Sequence, residues 1–150
     1  MKTSKRFDNA VAKLYTAFHN KTLNPDDCKQ CAVGNILNNT DQWQHITDKH
    51  GTVSLNYVGL VNQRLERRFN GYTPLELLRI ETAFLKGCGY LFSSKKRLHK
   101  PENINDDSVL FNGLCEVVSE LCRLEHINNV MDCSELFNFE KKPVGKILVA

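Results

Sequence analysis

The chain has 150 residues, of which 41% are hydrophobic and 25% charged, the usage of one ordinary globular domain of roughly 100–200 residues. A disordered tail protein and a fibrous repeat are excluded, and no apolar run in it approaches the roughly 20 residues needed to span a bilayer. Twenty Lys plus Arg against 17 Asp plus Glu leave a net charge of +3, too mild a balance for a nucleic-acid partner, which calls for a clustered basic face.

Taken in chain order, the first element is a helix. Phe7, Val11, Leu14, Tyr15 and Phe18 recur at helical spacing, with Lys5, Arg6 and Lys13 off that stripe. Met1–Arg6 is basic, but Asp8, Asn9 and Lys13 interrupt any apolar signal core, which predicts a cytoplasmic chain in a reducing compartment. Asn24-Pro25 supplies a cap and a first-turn proline, and Asp26 and Asp27 suit the positive end of the dipole. The pattern predicts a second helix from there to about Asn38. A short helix around Trp43 follows, then one from about Ser54 to Phe69 using Val58, Val61, Leu65 and Phe69.

The strongest helix start is Thr73-Pro74-Leu75-Glu76, a capping box with proline at the first helical position. Leu77, Leu78, Ile80, Ala83, Phe84 and Leu85 give that helix a wide apolar face, and Gly87 and Gly89 end it. Asp106 or Asp107 opens another, carrying Val109, Leu110, Leu114, Val117, Val118, Leu121 and Leu124. Asp132 caps a last short helix through Phe139. Ser93–Asp107 reads as a long polar surface loop holding the basic group Lys95/Lys96/Arg97/Lys100, and Lys141–Ala150 as a loose tail. Asn70-Gly71 and Asn112-Gly113 sit beside helical patterns rather than between strands. The expected fold is all-α: a compact bundle of five or six helices over residues 1–140, with 141–150 as a flexible tail.

Chemistry centres on Cys28-Lys29-Gln30-Cys31. With Asn24 as cap, Cys28 falls in the first turns and the two sulfurs share one helix face. Three chemistries fit that placement. A dithiol could exchange with disulfides, although Asp26 and Asp27 oppose thiolate formation and no strand precedes the pair as in thioredoxins. A Cys-x-x-Cys is also half of a tetrahedral zinc site or part of an iron–sulfur site, with His19, Cys88, Cys115 or Cys122 as further donors. His19 is the first choice among these, so the expected ligands are Cys28, Cys31 and His19. The third reading is core packing, the default for Cys115 and Cys122, seven residues apart on an apolar helix.

Other chemistry is thinly marked. Cys31 with His45 or His50 could form a nucleophile and base, but no local signature surrounds them. His126 follows an apolar helix, where it would face the negative end of the dipole. Walker and dinucleotide glycine patterns are missing, so no flavin or nicotinamide site is expected. The Asn/Asp stretches lack the glycine and glutamate of an EF-hand.

Three stretches carry a family resemblance: Asn24-Pro25 with Cys28-x-x-Cys31-Ala32-Val33-Gly34-Asn35-Ile36-Leu37, Leu55–Val61, and Phe69-Asn70-Gly71-Tyr72-Thr73-Pro74-Leu75-Glu76-Leu77-Leu78. With Phe111–Cys115, they resemble a family of small bacterial proteins commonly labelled as a component of the Na⁺-translocating NADH-quinone reductase. That label implies a much longer, membrane-anchored flavoprotein with a ferredoxin domain. Since 150 residues hold neither a ferredoxin cysteine run nor room for flavin and nicotinamide domains, no catalytic residue is carried across. Two functional expectations follow. One is a zinc, iron–sulfur or thiol-redox site at Cys28 and Cys31. The other is a helical interaction or oligomerising module without catalytic activity, in which a protein partner or a second copy covers the wide apolar face of Pro74–Lys86.

Overall fold

The computed structural model describes residues 4–47, 54–92, 98–99 and 106–126, and among these the fold is an all-α bundle. Its helices are α1 (Lys5–His19), α2 (Ala32–Ile36), α3 (Gln42–Ile46), α4 (Tyr57–Arg64), α5 (Pro74–Gly87) and α6 (Asp107–Leu124). Two-residue strands β1 (Leu91–Phe92) and β2 (Leu98–His99) pair antiparallel, Leu91 opposite His99 and Phe92 opposite Leu98. The expected loop at 93–107 is corrected there: Leu98–His99 is a strand, too short to show a two-residue alternation in sequence. The expected helix over Asp132–Phe139 and the tail lie outside the described residues.

The long helices form where capping and periodicity agree. Ser4 caps α1 by accepting from the Phe7 amide, and α1 turns Phe7, Ala10, Leu14, Ala17 and Phe18 inward. Thr73 and Glu76 complete the reciprocal capping box of α5. Asp106 caps α6, whose Leu110, Leu114, Val117, Val118 and Leu121 are buried. The most extensive helix contact is α5 on α6, and glycine lets them approach. A Cβ on Gly113 would overlap Cys88 Sγ and lie 3.0 Å from Phe84 ring carbons, well inside van der Waals contact.

Two sequence expectations fail for local reasons. The helix expected from Asn24 to Asn38 is confined to α2. Asn24 Oδ1 accepts from the Asp26 amide at 2.9 Å, and Asp27 Oδ1 from the Lys29 amide at 2.9 Å. These side chains divert the backbone into turns, the ordinary competition of Asn and Asp with helical bonding. The helix expected to reach Phe69 stops at Arg64. Glu66 takes a left-handed φ of 55°, and the Arg67 amide reaches back to the Asn62 carbonyl at 3.1 Å, a Schellman ending. Asn70 and Gly71, with φ of 52° and 94°, then form a tight reverse turn that pairs Phe69 with Tyr72, as successive positive φ values require.

Arg6 ties these parts together. Its guanidinium bonds Glu125 beyond the end of α6, Glu76 in the first turn of α5 (3.1 Å) and the Gly71 carbonyl (2.9 Å), and stands 4.6 Å over the Tyr72 ring. The C-terminal end of α6 is thereby fixed beside the turn that joins α4 to α5.

Candidate functional site

The cysteine motif is built from turns and a cap. Cys31 is the N-cap of α2, its Sγ accepting from the Gly34 amide at 3.3 Å. Cys28 belongs to the preceding turn and donates to Gln44 Oε1 of α3 at 3.4 Å. The two sulfurs therefore do not share a helix face, correcting the expectation that placed Cys28 in the first turns of a helix. Gly34 is demanded by the same packing: a Cβ there would fall 2.5 Å from the Cys28 carbonyl oxygen.

The electrostatics suit thiols rather than thiolates. Burial raises the Cys28 pKa and the Asp27 charge adds to it. Cys31 is fully buried, and burial followed by the Glu81 carboxylate holds its thiol well above the usual range. Cys88, the C-cap of α5, is pushed up to about 12, first by burial and then by Glu81. Their surroundings favour the protonated thiol at neutral pH, where a nucleophile would need the thiolate.

His19 stands elsewhere, exposed in the last turn of α1 with its ring 4.3 Å from that of Tyr15. Among the described residues no three His, Cys, Asp or Glu side chains gather into a group that could hold a metal ion. The structure thus does not bring Cys28, Cys31 and His19 together as a three-ligand set. His45 pairs with Asp41 at 3.2 Å on the exposed side of α3 rather than with buried Cys31. Cys122 is core, Cys115 is half-buried, and His126 follows the C-cap of α6 with a φ of 59°. Cys133 and His50 lie outside the described residues.

Glu81 is the buried residue that sequence reasoning passed over. Its Oε1 accepts from the Val33 amide at 3.2 Å, so α5 reaches across to the start of α2. The signal was available: Leu77, Ile80, Glu81, Phe84 and Leu85 form one stripe, and a carboxylate on that stripe must find a partner.

A second feature lies on α4, which is packed inside out. Its buried residue is Gly59, set so closely against α3 that a Cβ would overlap the Ile46 carbonyl oxygen. The large apolar residues face away: Tyr57 is 81% exposed, Val58 50%, Leu60 51% and Leu65 58%. With Val61 they cover about half the circumference of the helix, opposite Gly59. Leu75 extends this surface, since its amide donates to Gln63 Oε1 of α4 at 2.9 Å.

Arg64, Arg67 and Arg68, all exposed, rim the apolar face at its C-terminal end. Beside it runs a cleft of about 470 Å³ lined by Val58, Asn62, Arg67, Arg68, Phe69 and His45 among others. Arg67 and Arg68 therefore border both the face and the cleft. Among the described residues, no helix is long and apolar enough to cross a membrane.

No family model matches the chain, and neither a curated protein nor a solved structure matches it.

Proposed function

We propose that this protein is a helical interaction module that takes an acidic, apolar-faced segment of a partner protein on the outer face of α4. The observation that carries the reading is the inversion of α4, with glycine turned inward and Tyr57, Val58, Leu60 and Leu65 turned to solvent. Fully burying one such aliphatic side chain is worth about 1.5–3 kcal/mol, so several half-exposed ones in a patch are a substantial driving force. The arginine rim selects the sign of the partner and speeds its approach. Neither role needs a thiolate or a metal, and the protonated, largely buried thiols of Cys31 and Cys88 act as cap and core. Cys28, Cys31 and Cys88 are thiols, which suits action in a reducing cytoplasm.

The test uses two synthetic helical peptides with the same apolar i, i+3, i+4, i+7 pattern, one flanked by Glu and one by Lys. Fluorescence anisotropy should show the acidic peptide binding about tenfold tighter, with the margin shrinking as salt rises. Leu60→Asp should abolish binding and Arg67→Glu should reverse the preference. Equal binding of the two peptides, unmoved by Leu60→Asp, overturns the reading.

A further inference from the structure

The two flanks of α4 differ. On one, Gln63 Oε1 accepts from the Leu75 amide at 2.9 Å, so the start of α5 closes that side. On the other, Val58 and Asn62, one turn apart, open into the cleft of about 470 Å³, which α3 borders with Gln42, His45 and Ile46. Tyr57, Val61 and Leu65 share the exposed side of the helix. A segment seated on them runs along the edge of the cleft at Val58, the residue that belongs to both face and cleft.

The lining of the cleft narrows what it can take. Its volume lies in the range of about 300–1,000 Å³ that holds small organic groups. Ile46, Val58 and Phe69 give it an apolar body, and Ile46 is buried and Phe69 packed on the core, so these walls are fixed from beneath. Arg67 and Arg68 border it as well. The ending of α4 brings them there, because the Arg67 amide returns to the carbonyl of Asn62, which lines the same flank. Arg68 is engaged, bonding the Gly71 carbonyl at 3.0 Å with Glu76 at 3.6 Å. Arg67 makes no ion pair among the described residues. A guanidinium beside an apolar wall selects an aromatic ring over an aliphatic chain, since the ring face is the negative part of its quadrupole. The same planar fork pairs with a carboxylate. An aromatic residue with an acid within one turn therefore satisfies wall and charge together.

We infer that this cleft is the anchor pocket of the α4 face: the partner segment inserts one aromatic side chain between α3 and α4 and sets a neighbouring carboxylate on Arg67. This inference rests on reading α4 as a docking face, and it names the residue type by which a partner is chosen. Interfaces concentrate their energy in a few aromatic anchors held in pockets. The outer face of α4 supplies general apolar contact and the cleft supplies selectivity, because a segment with alanine at the anchor leaves the apolar walls wet.

The experiment places Trp, Leu or Ala at one central apolar position of the Glu-flanked helical peptide and measures binding to the full chain by fluorescence anisotropy. The Trp peptide should bind about tenfold tighter than the Ala peptide and about threefold tighter than the Leu peptide. Gln42→Trp puts a plug at the exposed rim of the cleft, and the Trp and Ala peptides should then bind alike. Should that variant fail to fold, Arg67→Gln should bring the Trp-over-Leu preference close to unity. Equal binding of the Trp and Ala peptides to the unaltered chain, or a Trp advantage that survives Gln42→Trp, overturns the anchor pocket. In that case, loss of peptide binding on Leu60→Asp would leave the docking face standing, and its persistence would remove the face as well. Phenylacetate alone should bind weakly and be displaced by the Trp peptide. Saturable phenylacetate binding that the peptide leaves in place would assign the cleft to a free aromatic carboxylate and overturn its role as an anchor pocket.

Discussion

Helices α4 and α5 are neighbours with apolar residues at helical spacing, yet they use them in opposite ways. In α5, Leu77, Ile80, Phe84 and Leu85 are buried, so the apolar face expected over Pro74–Lys86 to take a partner is filled by α6 instead, and polar residues such as Arg79 and Lys86 face out. In α4, glycine is buried and Val58, Leu60 and Leu65 are exposed. The difference comes from what each helix meets. α5 lies along α6 and its stripe fills the space between them, whereas α4 touches α3 through backbone, with the Asn56 amide on the Ile46 carbonyl at 3.0 Å. Periodicity names an apolar face and says nothing about which neighbour, if any, covers it.

Truncating one side chain in each helix separates the two cases most directly. Phe84→Ala in α5 should cost about 3–5 kcal/mol in chemical denaturation, the usual loss for a buried aromatic. A cost below about 1 kcal/mol would mean that the α5–α6 seam is not the core.

Next in size is Gly113→Ala, where the new methyl has nowhere to go between Cys88 and Phe84. Separating the helices should cost roughly 2–3 kcal/mol. The equivalent change in the other region, Gly59→Ala, should leave global stability nearly untouched while disturbing α4 alone. Hydrogen exchange distinguishes the two, and a global effect from Gly59→Ala would show that α4 belongs to the core after all.

The Arg6 junction gives an intermediate effect with a pH signature. Burial disfavours the Glu125 carboxylate, but hydrogen bonds from Ser4 and Arg6 and the Arg6 charge outweigh it and hold its pKa below the ordinary range. A depressed carboxylate adds stability above its unfolded pKa, and the gain is lost as pH falls through the folded value. Glu125→Gln should therefore cost about 2 kcal/mol at neutral pH and flatten the acid limb of the stability profile. An acid limb identical to wild type would remove Glu125 from the account.

Cys31→Ala should cost about 1 kcal/mol, the value of a cap, and native Cys31 should resist alkylation until the protein unfolds. Elemental analysis of anaerobically purified protein bears on the same residue. Stoichiometric zinc or iron that is lost on Cys28→Ser would overturn the cap-and-core account of the motif. The smallest effect on stability belongs to Leu60→Asp, within about 0.5 kcal/mol, although it should remove peptide binding. A large stability loss there would mean that the α4 surface is covered in the folded chain.

The all-α class and the three longest helices, α1, α5 and α6, were legible in the sequence because several local signals agreed at each. Thr73-Pro74-x-Glu76 specifies its own helix start, and the stripe Leu77–Leu85 specifies which side is buried, whatever surrounds it. Cys28 and Cys31 were legible as residues of interest but not in their roles. Whether Asn24 and Asp27 cap a helix or close turns is decided by small competing hydrogen bonds, and those depend on where α3 and α5 place Gln44 and Glu81.

The tertiary structure alone decided three things: that Glu81 meets Val33 across the bundle, that Arg6 joins the ends of α5 and α6, and that α4 presents its large side chains outward. Each depends on contacts between residues far apart in the chain, and distance in space is not written in local spacing. Composition and capping set the elements; the packing of α5 on α6 set which faces remained.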